Sequence, residues 1–110
     1  MNIWAVNKDN TIKSLLIQLA NFISDDQYKI ICRPEDDLRS VRLAQTDNSN
    51  TELYIYSYGQ QEDHYGVHIE FPNLIETNYS DTLEIHENLS FEQVLNLIVI
   101  NLGVKLESAS

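Results

Sequence analysis

The chain is poor in the residues that cross-link or punctuate a fold: its 110 residues include one cysteine, two prolines and three glycines. A lone cysteine, Cys32, excludes an internal disulfide. The glycines Gly59, Gly66 and Gly103 are too scattered to form a phosphate-cradling loop. Long apolar runs are missing as well. The run LIVI at 97–100 is bounded by Asn96 and Asn101, far short of the ~20 residues that span a bilayer. The N-terminus, MNIWAVNKDN, has no basic segment leading into an apolar stretch, so no signal peptide is expected. With one cysteine, the expected compartment is the cytoplasm.

The most telling shortage is of positive charge. Residues 1–42 carry six acids and six bases, whereas residues 43–110 carry eleven acids and one base, Lys105. The whole formal net charge of −10 therefore lies in the second part. Such a field repels nucleic acid and anionic membranes, so neither is an expected partner, and it steers basic proteins inward. Solubility alone is the competing explanation. The composition, 43% hydrophobic and 22% charged, excludes a wholly disordered chain. The length allows one domain, 1–110, with one modest core.

Periodicity supplies the elements. IWAV at 3–6 reads as a short strand. TIKSLLIQLANFIS places Ile12, Leu15, Leu16, Leu19, Phe22 and Ile23 at helical spacing. Asn10 or Thr11 is the expected cap. Strands are expected at 28–33, 40–46, 52–58, 64–71 and 81–87, with a turn at Pro34–Asp37, a loop at 47–50 and no assignment for 74–80. The last helix is framed by a capping box, Ser90 with Gln93, and by Gly103 as its left-handed exit. Its apolar stripe is Phe91, Val94, Leu95, Ile98, Val99 and Leu102; Leu97 and Ile100 fall on another side, facing either a further element or a partner. Together these predict an α+β domain: an antiparallel sheet of about five strands with an N-terminal and a C-terminal helix packed on one face.

The hairpin TELYIYSYGQQEDHYGVHIEF, 51–71, is rich in tyrosine and acid and contains no Lys or Arg. Pairing Tyr58 with His64 sets Ile55 against Val67 and Leu53 against Ile69 on a core face. Tyr54 then meets His68, Tyr56 meets Gly66, and Glu52 and Glu70 continue the opposite face. Tyrosine offers a large contact area with a polar tip. This face is expected to bind a basic protein through Glu52, Tyr54, Tyr56, Tyr58, Glu62, Asp63, His68 and Glu70. The competing reading is structural, a tyrosine ladder that is half-solvated or packed under a helix. If the tyrosines are core residues, the binding site falls instead to the loop 47–50 or the segment 74–81.

Chemistry finds little purchase. His64 and His68 share a strand face, but four strand residues span ~13 Å, too far for one metal ion. His86 adds no ligand-spacing motif. Cys32, between Ile31 and Arg33, reads as a small core residue rather than a nucleophile. Glu62–Asp63 sits in a loop without an apolar pocket to raise a pKa. No catalytic residue, metal or cofactor is expected.

In type, a small acidic domain with a sheet, flanking helices and an acid- and Tyr-rich hairpin (Glu52, Tyr54, Tyr56, Tyr58, Glu62, Asp63) resembles the immunity proteins of bacterial contact-dependent growth inhibition systems. The resemblance implies a cytoplasmic protein that binds one cognate toxin domain, often a basic nuclease of RNase type, and blocks its active site. No enzyme activity is expected from the residues, and a monomer is expected in the absence of toxin. Two alternatives stand beside it: an acidic nucleic-acid mimic or antitoxin-like inhibitor, and a structural or adaptor protein with a hydrophobic oligomer interface around Leu97 and Ile100.

Overall fold

The computed structural model describes residues 8–31, 36–71 and 82–106, with backbone alone at 48–50 and 82–83. The expected strand at 3–6, Cys32, the start of the Pro34 turn and the segment 74–80 lie outside the described residues. The described elements run α1 (Asn10–Ala20), β1 (Tyr28–Ile31), β2 (Ser40–Gln45), β3 (Asn48–Tyr56), β4 (Tyr65–Glu70), β5 (Thr82–Leu89) and α2 (Phe91–Leu102). The strands form one open antiparallel sheet in the order β1-β2-β3-β4-β5. The fold is α+β, as expected.

The sheet register follows the aliphatic alternation. Leu53 pairs with Ile69 and Ile55 with Val67; β2 extends both rows, Val41 opposite Ile55 and Leu43 opposite Leu53. These six side chains are at most 1% exposed. They join one core with Ile12, Leu15, Leu16 and Leu19 of α1 and Val94, Leu95, Ile98 and Leu102 of α2. A one-residue slip would turn them all to the other face. Both helices therefore lie on the aliphatic face of the sheet.

Several boundaries differ from the sequence expectation. The cap of α1 is Asp9, whose Oδ1 accepts from the Thr11 backbone N–H at 3.0 Å and the Thr11 hydroxyl at 2.9 Å. A carboxylate engages both donors, which the shorter Thr11 side chain cannot do for itself. The helix stops at Ala20; Phe22 is 41% exposed, whereas Ile23 is buried on the turn that follows. The loop expected at 47–50 shrinks to the Thr46–Asp47 turn, because Gln45 pairs with Asn48 across it and the surplus residues of β3 are taken up in a bulge. β3 ends at Tyr56, so Tyr58 lies in the turn rather than opposite His64.

The α2 signals hold. Ser90 Oγ accepts from Gln93 N–H at 3.3 Å, Gln93 Oε1 accepts from Ser90 N–H at 2.9 Å, and Gly103 exits at φ 65°. Beyond it, Gln27 donates to the Lys105 carbonyl at 2.8 Å and accepts from the Lys105 N–H at 2.7 Å, fastening the tail to the start of β1.

Candidate partner-binding surface

The sheet face away from the helices carries what the aliphatic alternation leaves over. Across β2, β3 and β4 it holds the rows Arg42–Tyr54–His68, Ala44–Glu52–Glu70 and Ser40–Tyr56–Gly66. The sequence placed Glu52, Tyr54, Tyr56, His68 and Glu70 together on this face, and the register does so. Their exposure is a different matter.

Tyr56 is 4% exposed and Tyr54 9%. The rings pack on each other. Tyr56 stacks on Tyr58 with centroids 4.7 Å apart and meets His68 edge-on at 5.1 Å. Tyr54 lies 5.7 Å from both Tyr56 and His68, and its hydroxyl is 3.0 Å from that of Tyr58. Gly66 makes this possible. A Cβ there would clash with the hydroxyl end of the Tyr56 ring, so only glycine lets the ring lie over β4. The expectation of an open tyrosine face is thus corrected for Tyr54 and Tyr56. Tyr58 is half-buried, with the Arg39 guanidinium 5.5 Å from its centroid. Burial pushes the Tyr56 and Tyr58 phenols up; the nearby Glu87 carboxylate adds to it for Tyr56, the bond to Tyr54 for Tyr58.

Glu52 and Glu70, expected as part of the acidic surround, turn instead toward Arg42. Its Nε donates to Asp36 at 2.9 Å and its Nη1 to Glu70, with Glu52 Oε1 3.8 Å away. The guanidinium also stands 4.7 Å from the Tyr54 centroid. Side-chain exposures are 12% for Arg42, 3% for Asp36, 4% for Glu52 and 18% for Glu70. Burial acts to lower the Arg42 pKa, but the Asp36 bond and the Glu70 charge outweigh it and hold the guanidinium charged. The sequence reading missed this cluster. Its signal was the period of two in SVRLAQ, which sets Arg42 on the face of Glu52 and Glu70.

Beside this face, exposed acids sit on the β3–β4 loop and on β5. Glu62, Asp63, Glu84 and Glu87 are all exposed. The loop is not a loose tip. Gln60 Oε1 accepts from the Asn88 N–H at 2.6 Å and Gln60 Nε2 donates to Glu87 at 2.8 Å, while Gln61 N–H donates to Asn88 Oδ1 at 3.0 Å. Gly59 at φ 71° and Asp63 at φ 59° supply the left-handed residues that such a tight loop needs. Between this loop and the first turns of α1 runs an open groove of about 570 Å³, with Asp9, Arg39, Tyr58, Asp63 and His64 among its walls.

The three histidines go to three places. His64 Nδ1 lies 2.7 Å from the Glu62 carbonyl, His68 sits among the rings, and His86 is 3.4 Å from Glu84. Of the side residues Leu97 and Ile100, Leu97 packs against the core and Ile100 is 75% exposed. Among the described residues, no helix is long and apolar enough to cross a membrane. Compared with known proteins, the chain matches no family model, no curated protein and no solved structure.

Proposed function

We propose that the chain is an immunity-type inhibitor that acts in the cytoplasm. It binds a basic cognate toxin domain, of nuclease type, and covers its active site without chemistry of its own. The observation that carries this reading is the exposed acid on a braced frame. Glu62 and Asp63 project from a loop tied to β5, with Glu84 and Glu87 on the strand beside them. No Lys or Arg occurs anywhere from Leu43 to Val104. Charges held in place need little ordering when a partner arrives, and acids offered in this way match a cleft built to take phosphate. Tyr58 and His68, both half-buried, form the inner margin of the surface. Tyr54, Tyr56 and Glu52 support it from below.

The test is to mix the chain with the product of the adjacent upstream reading frame and follow both binding and toxin activity. One-to-one binding with loss of activity is expected. The association rate should fall about tenfold or more as salt rises from ~50 to ~500 mM, because steering is screened. The pair Glu62→Gln and Asp63→Asn should slow association severalfold and leave the melting temperature in place. Absence of binding, or binding that leaves the toxin active, overturns the reading.

A further inference from the structure

The two edges of the sheet are unlike. β1 is four residues long and carries Lys29. Short length and lysine are common ways in which edge strands avoid unwanted pairing. β5 is eight residues long and contains no proline, lysine or arginine. Among the described residues only β4 pairs with it. Ile85 on this edge is 58% exposed and stands between exposed Glu84 and half-buried His86, which lies 3.4 Å from the Glu84 carboxylate, with exposed Glu87 one residue further on. Gln60 closes the far end by binding Asn88 N–H, and the run up to Glu87 has no second strand beside it among the described residues.

We infer that β5 takes up an extended strand of the partner, one that carries Lys or Arg at the positions facing Glu84 and Glu87 and an apolar side chain beside Ile85. Backbone N–H and C=O groups along an unpaired edge supply the affinity in such strand addition, and alternate side chains supply the choice of partner. The carboxylates decide which occupant fits. A second copy of this chain would bring acid to acid along the edge, which like-charge repulsion disfavours. A basic strand meets the opposite charge at each of those positions. This inference rests on the proposed basic protein partner and says which part of the surface that partner uses.

The probe is a short synthetic peptide built on Lys-Thr-Val-Lys, whose lysines, three residues apart, face Glu87 and Glu84 in an antiparallel strand while the valine lies beside Ile85, added at low salt to the isotopically labelled chain and followed by amide shifts. Two control peptides accompany it, one N-methylated at alternate amides and one with glutamate in place of lysine. The expected result is sub-millimolar binding, with shifts confined to β5 and the 60–63 loop. Affinity should fall about tenfold or more for each control, and severalfold for Ile85→Thr, which keeps strand preference. Equal binding of the N-methylated peptide would sink strand addition while leaving a basic partner standing. No binding by either lysine peptide removes both. Equal binding of the glutamate peptide overturns the basic class of occupant, and β5 shifts that grow with protein concentration alone would assign the edge to a second copy.

Discussion

Two centres concentrate the stability of the polar face, one a pair and one a charged cluster. The Tyr56 ring lies where a Gly66 side chain would be. Gly66→Ala must therefore displace the ring, costing about 1–3 kcal/mol as overpacking does. Tyr56→Ala removes a buried ring and costs about 3 kcal/mol. The two losses share one cause, so the double variant should be less destabilised than their sum by about 1 kcal/mol or more. Denaturant titrations of the four proteins check this, and strict additivity would place the ring elsewhere. Arg42 is the second centre. Replacing it with Met leaves Asp36, Glu52 and Glu70 facing one another at low exposure, an expected loss of about 3–5 kcal/mol. Arg42→Lys should recover only part of it, since an ammonium cannot reproduce the fork that meets Asp36 and Glu70 together. A lysine variant as stable as the parent would show that charge alone suffices.

At the scale of elements, the β3–β4 loop and β5 behave as one unit because three hydrogen bonds join them. Gln60→Ala removes two of these. The bonds are near the surface, so each contributes about 0.5–1.5 kcal/mol, and the loss should stay local. The expected outcome is faster hydrogen exchange at the Asn88 amide with little change in the melting temperature. An Asn88 amide protected as before would mean that the brace lies elsewhere. The helices show the opposite economy: α2 is framed by signals within its own sequence, Ser90 with Gln93 and then Gly103. The clasp of Gln60 on Asn88 spans 28 residues and leaves no local pattern from which to read it.

For the molecule as a whole, the aromatic burial sets a pH limit. Of six tyrosines, Tyr28, Tyr56, Tyr58 and Tyr65 have phenols pushed up, in each case first by burial. Neighbouring acid adds to it, Asp25 for Tyr28 and Asp63 for Tyr65. The folded chain thus holds phenolic protons that the unfolded chain gives up near pH ~10. Stability from this source is fully present below that pH and is lost as pH rises beyond it. Denaturation midpoints should be level to about pH 10 and then fall. Tyrosinate absorbance should rise in step with unfolding, and Tyr56→Phe should make the alkaline fall shallower. Ordinary tyrosine titration in a chain that stays folded contradicts this.

The sequence by itself determined the class of fold, the pairing of β3 with β4 and the one-sided charge. Those properties are local or additive: side chains alternate along a strand, a one-residue slip would set Leu53 and Ile55 against polar partners instead of Ile69 and Val67, and charge is a count. The α2 boundaries were legible for the same reason. Tertiary structure alone decided which members of the polar face meet solvent. Exposure depends on every atom within a few ångströms, and for Tyr56 those atoms come from Tyr58, His68 and the backbone of Gly66, on two strands and a turn. Glu52 and Glu70 looked like free acids from their position, and became counter-charges when the sheet brought Arg42 between them and Asp36. Short-range alternation says which way a side chain points; what it meets there is set by residues far along the chain, and only the packed sheet brings them together.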